Sequence, residues 1–248
     1  MIASPMEVCC LHLPFNEGSA ECVLTLASPW DVIPQNYEEL LSDKELERLR
    51  SIVSEKRRRE YVLGRIITKN ALSTLVGKIK HQDVSTLNET SGCPVIVNSD
   101  YAVSISHSGG LVASLVFEKR HSFGIDVECI SEKNIRAAAH VTSEQEPVPR
   151  NPEHLIIAWT LKEALSKALK CGFYRSFDEF SLSWFAQSSK ICHCSYANHP
   201  EFFGIACLTC DYSFAVSYRR RTPLPKKYYA QFLDSIHRIQ TSVLNNSV

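Results

Sequence analysis

Apolar residues recur at every second position through PVIVNSDYAVSISHSGGLVASLVFEK (residues 94–119), broken at Asn98-Ser99-Asp100 and at Gly109-Gly110. That period is the one that puts alternate side chains on one face of a sheet, and the breaks are turn chemistry, so the segment predicts strands joined by tight turns. ECVLTLA (21–27) predicts another strand. Between them, SDKELERLRSIVSEKRRREYVLGRIITKNALSTLVG (42–77) carries the longer period of a helix. Ser42 is its N-cap, and Glu45, three residues on, completes a capping box. Gly64 is unusual inside so good a helix pattern and predicts a close approach by another element.

The pattern then repeats. FGIDVECI (123–130) alternates like a half-buried strand, and EKNIRAAAHV (132–141) is a short helix. TSEQEPVPRNPE (142–153) is polar with three prolines and reads as a loop. HLIIAWTLKEALSKALKCGF (154–173) is a strong helix ending near Gly172. FDEFSLSWFAQ, KICHCSYA, FFGIACLTC and YSFAVSYRR read as strands, and PLPKKYYAQFLDSIHRIQ (223–240) as a last helix. Each half is a long helix followed by strands, so the expected fold is α+β: two similar halves, residues 1–120 and 121–248, side by side, with Asp126 and Glu128 near their junction.

Composition narrows the partners. The 248 residues are 44% hydrophobic and 22% charged, with 27 Lys+Arg against 27 Asp+Glu. A balanced net charge gives no bulk attraction to nucleic acid or membrane, so any anion site must be a local cluster. No apolar run spans a bilayer, and MIASPMEVCCLHLPFNEG lacks the basic start and long apolar core of a signal peptide. A cytoplasmic protein with reduced thiols is expected. Of the ten cysteines, Cys192, Cys194, Cys207 and Cys210 raise the question of a zinc site. The two strands that carry them favour buried thiols instead, since cysteine packs as a small hydrophobe.

Asp126 and Glu128 lie two apart in FGIDVECI and so point to one side of a strand, an unfavourable pairing of like charges unless a cation or open water lies beside them. Trp159, Glu163 and Lys167 fall at i, i+4 and i+8 on one helix face. Glu163 would add a third carboxylate, and three acids suit a hard cation such as Mg²⁺. Taken alone, Glu163 and Lys167 are an ordinary surface pair. SISHSGG offers Ser104, Ser106, His107 and Ser108 beside a Gly pair, groups able to bind phosphate or merely to form a hairpin turn. Arg58, Arg65 and Lys69 share one face of a basic helix; Arg suits phosphate, though charge runs are commonly solvated faces. Together these are the parts of a metal-assisted phosphate site.

GRIITK, GCPV, SISHS, GIDVE and WTLKEALSKAL, in that order over residues 58–170, resemble the 4′-phosphopantetheinyl transferase superfamily in its larger single-chain, surfactin-synthetase-activating branch. The resemblance implies two similar α+β halves with coenzyme A between them. It also implies transfer of the phosphopantetheine arm to a serine of an acyl or peptidyl carrier protein, releasing 3′,5′-ADP. By residue, it implies Asp126, Glu128 and Glu163 as ligands of Mg²⁺, with Mn²⁺ as the alternative ion. Lys162 and Lys167 would lie near the pyrophosphate, and Ser106 and His107 on phosphate. Arg65 and Lys69 would be the basic positions, with Arg58 added from the shared helix face, and Pro94 would lie beside adenine. Glu163 and Lys167 would be the catalytic pair. Lys69 stands where Arg is usual, and Cys93 where Lys is common.

A monomer is expected, with the carrier docking on the 142–157 loop and near Phe173 and Tyr174, steered by Arg150 or Arg175. Two rival readings share the same residues: a coenzyme A-binding protein without turnover, and a metal-dependent nucleotide pyrophosphate hydrolase.

Overall fold

The computed structural model describes residues 7–15, 18–27, 33–171, 175–188 and 190–219. The expectations for the C-terminal helix, Gly172, Phe173 and Tyr174 lie outside them. Two antiparallel sheets carry the fold. The first, in order β1-β2-β6-β5, is built from β1 (Glu7–Phe15), β2 (Gly18–Ala27), β5 (Tyr101–Ser108) and β6 (Leu111–Glu118). The second, in order β7-β11-β10-β9-β8, is built from β7 (Phe123–Cys129), β8 (Leu182–Ser188), β9 (Ile191–Tyr196), β10 (Phe202–Leu208) and β11 (Tyr212–Arg219). A short ribbon, β3 (Thr86–Asn88) with β4 (Pro94–Ile96), stands beside them. The protein is mixed α+β, as the alternating periods predict.

The N-terminal helical stretch is two helices rather than one. α1 (Asp43–Arg50) ends at Ser51, and α2 (Glu55–Val76) restarts with Ser54 as its own cap, its hydroxyl accepting from the Arg57 N–H. The capping box of Ser42 and Glu45 is present. α3 (Glu132–Val141) follows β7, and α4 (Pro152–Ala168) starts earlier than its apolar pattern suggested, with Asn151 capping and Pro152 in the first turn. α4 also stops short of Gly172: Leu169 is its C-cap, and Lys170 takes a left-handed φ of 54°.

Leu24, Leu115, Phe117, Ile125, Val127, Phe214 and Val216 belong to one apolar core that the inner faces of both sheets share. α2 covers the outer face of the first sheet, over Val23, Val103 and Val116. α4 covers that of the second, over Cys192, Cys194, Ala206 and Ala215. The order is helix, sheet, sheet, helix. Cys192 and Cys194 therefore face α4, Cys207 sits in the core between the sheets, and Cys210 is exposed, so the four cysteines do not converge on zinc. Burial pushes the thiols of Cys192, Cys194 and Cys207 up to about 12, which keeps them protonated.

One polar knot occurs twice. Glu45 accepts from the Ser42 N–H, the Thr86 N–H and Lys69 Nζ (2.6 Å), and Lys69 also donates to the Leu40 carbonyl. Glu146 accepts from the Ser143 N–H, the Leu182 N–H and Lys162 Nζ (2.6 Å), and Lys162 also donates to the Val141 carbonyl. In each set a helix lysine holds a glutamate from the segment before its helix, and that glutamate also accepts from a strand after it, Thr86 of β3 or Leu182 of β8. All four charged side chains are buried, and each is paired and hydrogen-bonded, the condition that makes such burial tolerable.

Among the described residues no helix is long and apolar enough to cross a membrane.

Candidate active site

The two sheets meet where the open edge of β7 abuts the inner face of β5. An open edge leaves backbone N–H groups without partners. Three alternate serines of β5 satisfy them: Ser104 Oγ accepts from the Ile125 N–H, Ser106 Oγ from Val127 and Ser108 Oγ from Cys129. The same hydroxyls orient the two acids of β7. Ser106 donates to Asp126 Oδ1 (2.7 Å) and Ser108 to Glu128 Oε2 (2.9 Å).

α4 crosses this strand closely because residue 124 is glycine. A Cβ there would overlap the Ala164 carbonyl oxygen and the Ala168 nitrogen. The close crossing brings Glu163 and Lys167 over Asp126. Lys167 Nζ lies 2.6 Å from Asp126 Oδ1, and Trp159 Nε1 donates to Glu163 Oε1 at 3.4 Å. Asp126 Oδ2 is buried with no hydrogen-bond partner. Burial, and next the neighbouring Asp126 charge, raise both Glu128 and Glu163 to about 7.

Three carboxylates, one with an orphaned oxygen and two held well above their usual range by burial and the Asp126 charge, form a donor set that fits a divalent cation bound through oxygen. Among the described residues no three such side chains already stand assembled at ligand spacing. Lys167 supplies the positive charge in their midst.

From the acids a cleft of about 550 Å³ runs to α1 and α2, lined by Trp159, Ser106, His107, Pro94, Arg65, Arg57 and Arg48 among others. Arg65 is buried. Its guanidinium lies 4.2 Å from the Tyr61 ring centroid and donates from Nη2 to Asn88 Oδ1, while its Nε–H has no partner. A buried donor left unpaired in a cleft is an anion contact in waiting. His107 Nδ1 lies 3.3 Å from the buried carboxylate of Glu60, and burial pulls the imidazole below its ordinary pKa. A second lobe of about 400 Å³, mostly apolar, opens between the Ser91–Pro94 turn and the end of α4, sharing Pro94, Glu163 and Lys167 with the first.

Eight of the residues expected from the sequence thus come together: Arg65, Pro94, Ser106, His107, Asp126, Glu128, Glu163 and Lys167. Three do not. Lys69 and Lys162 are buried in the two knots, where each ammonium is taken by a glutamate. Helical spacing put them in the right helices but could not say which face pointed inward. Arg58 is turned onto the Leu49 and Ile52 carbonyls at the end of α1.

Arg48, Arg57, Glu60 and Asn88 line the cleft without having been expected there. Arg57 was visible in the basic run. Arg48 arrives only because the chain breaks at Ser51–Ser54, and the signal for that break was the second cap, Ser54.

A model described as the 4′-phosphopantetheinyl transferase superfamily matches residues 122–217, and one described as the 4′-phosphopantetheinyl transferase N-terminal domain matches residues 46–117. The holo-[acyl-carrier-protein] synthase of Streptococcus suis is 39% identical over 90 residues, which cover 33% of this chain and 75% of that protein. That of Streptococcus pyogenes is 34% identical over 96 residues, covering 35% of this chain and 80% of its own length. Among solved structures, Thermotoga maritima holo-[acyl-carrier-protein] synthase aligns with 26% identity over 47% of this chain and 72% of that one, at a TM-score of 0.33.

Proposed function

The chain belongs to the 4′-phosphopantetheinyl transferase superfamily, and from that premise we propose that it moves the phosphopantetheine arm of coenzyme A to a serine of an acyl or peptidyl carrier protein. The observation that carries the reading is one continuous cleft with three carboxylates and Lys167 at one end and Arg65, His107, Arg57 and Arg48 at the other. Coenzyme A has the matching pattern of charge: a pyrophosphate at its centre and a 3′-phosphate on the ribose.

Asp126, Glu128 and Glu163 would hold Mg²⁺, or Mn²⁺ in its place. The bound ion would neutralise the pyrophosphate and the charge that builds on the leaving group. The remaining work belongs to the chain. Arg65 and His107, which line the same cleft, hold the 3′-phosphate end, and Pro94 packs against the base. Lys167 stabilises the pyrophosphate oxygens as the bond from the β-phosphorus to the bridging oxygen breaks, and such stabilisation is most of the catalysis in phosphoryl transfer. The carrier serine Oγ bonds to the β-phosphorus, the bridging oxygen leaves on 3′,5′-ADP, and Glu163 takes the serine proton. A general base must stand within reach of the proton it takes, and Glu163 lines the cleft beside Asp126 and Lys167.

We infer in addition that residues 1–120 and 121–248 are repeats of one ancestral half, which the paired Glu45–Lys69 and Glu146–Lys162 knots support. The enzyme is read as a cytoplasmic monomer, in keeping with its free thiols.

The test is transfer itself. Purified protein, coenzyme A and Mg²⁺ are mixed with a panel of apo carrier domains, and the carriers are weighed intact. A gain of one phosphopantetheine, lost with EDTA, is the expected result. Coenzyme A binding without any gain on the panel would favour a binding protein without turnover. Release of 3′,5′-ADP without a carrier would favour a hydrolase.

A further inference from the structure

Glu128 is held by two neutral donors, and its grip comes from one side. Oε2 accepts two hydrogen bonds, from Ser108 Oγ at 2.9 Å and from Asn134 Nδ2 at 3.1 Å. Oε1 receives none among the described residues. Asn134 spends its other Nδ2 hydrogen on the Cys129 carbonyl at 2.9 Å. Both amide hydrogens therefore point at acceptors. Turning the amide over would set its carbonyl oxygen against a carboxylate and a carbonyl at once, so its orientation is fixed by charge.

The donor is itself fixed. Asn134 lies in the first turn of α3, where its own backbone N–H is capped by Ser131 Oγ at 3.2 Å. Ser108 is pinned from the other side, since its Oγ accepts from the Cys129 N–H at 3.0 Å.

We propose that Asn134, acting with Ser108, is a positioning residue that offers Glu128 to the divalent cation through one oxygen, Oε1, in one orientation. The inference rests on the metal reading above and adds a residue that the transferase motifs do not contain. Its physical basis is general: a ligating carboxylate held by an outer hydrogen bond enters the ion's coordination already oriented, and loss of that outer partner weakens metal binding. A second, purely structural role is open to Asn134, which also ties α3 to β7 through the Cys129 carbonyl. The test must separate the two.

The full-length protein, its Asn134→Ala and Ser108→Ala variants and an Asp126→Ala control would be titrated with Mn²⁺, reading free ion by electron paramagnetic resonance. In parallel, transfer would be measured as a function of metal and of coenzyme A. The expected result is a Kd for Mn²⁺ raised by about 10- to 100-fold in both variants, with the metal concentration for half-maximal transfer raised alike. Saturating metal should restore kcat to within about threefold, since the ligand itself remains. KM for coenzyme A at saturating metal should not move, and the metal-free melting midpoint of Asn134→Ala should stay close to that of the parent, while that of Ser108→Ala falls by a few degrees because the Cys129 N–H loses its acceptor.

Unchanged Mn²⁺ affinity in both variants, with binding by the parent and loss in Asp126→Ala, would overturn the role of Asn134 while leaving the metal site standing. No Mn²⁺ binding by the parent, with or without coenzyme A, would overturn both. If Asn134→Ala does not fold, Ser108→Ala decides, because it removes a donor from the same oxygen.

Discussion

Lys167 Nζ lies 2.6 Å from Asp126 Oδ1, and Asp126 Oδ2, on the same carboxylate, is buried with no partner at all. One residue thus belongs half to an ion pair and half to an unfilled demand for positive charge. The pairing joins α4 to β7, two elements far apart in sequence that meet only because residue 124 is glycine.

Replacing Asp126 by Ala should abolish transfer, by at least about 10²- to 10³-fold, the loss typical of removing one preorganised electrostatic contact. The fold should survive, as shown by an unchanged circular dichroism spectrum. An active variant would sink the metal assignment.

The two lysines of α4 should part company. In Lys162→Met, Glu146 keeps a buried charge without its cation, which costs about 3–5 kcal/mol and lowers the melting midpoint by on the order of 10 °C. Transfer measured well below that midpoint should be close to normal. Lys167→Met should melt near the parent and lose transfer. Thermal scans beside single-turnover assays distinguish these outcomes from a shared catalytic role.

Gly124→Ala should damage both properties, because the added Cβ overlaps backbone atoms of α4 and no side chain can move aside. A cost of about 3 kcal/mol or more is expected, at the upper end of overpacking. Transfer should also fall, since Glu163 and Lys167 are carried away from Asp126. A fully active Ala variant would show that the close crossing is dispensable.

Stability without metal should fall as pH rises. Glu128 and Glu163 titrate near 7 in the folded protein against about 4.5 when unfolded. Between those values the folded state binds more protons than the unfolded one, so unfolding free energy declines across that window and the contribution is gone above it. Added Mg²⁺ should reverse the trend, raising the melting midpoint more at pH 8 than at pH 5.5. Equal shifts at the two pH values would separate these carboxyls from the ion.

Arg65→Ala should raise the KM for coenzyme A more than that for the analogue lacking the 3′-phosphate, by about 10-fold or more if a charged hydrogen bond is lost. Equal changes would move Arg65 away from that phosphate.

Much of this site was legible from the chain alone. The alternation in FGIDVECI put Asp126 and Glu128 on one side of a strand, and the i, i+4, i+8 series put Trp159, Glu163 and Lys167 on one helix face, because both periods are local properties of the backbone. The motifs in their order carried the family. The pattern does not announce the first strand, Glu7–Phe15, and it runs α1 and α2 together, because the gap between them, Ser51–Ser54, holds Ile52 and Val53 and so continues the apolar series.

What the tertiary structure alone decided is which charges meet. Lys162 and Lys167 are five residues apart on one helix, similar in every local respect. The first points toward Glu146 and is buried, and the second points toward Asp126 and lines the cleft. The helical period sets them about 140° apart but does not say which of the two faces the acids. Periodicity fixes the angle between side chains around a helix, while the packing of that helix against β7, through the missing side chain at Gly124, fixes which angle faces the acids.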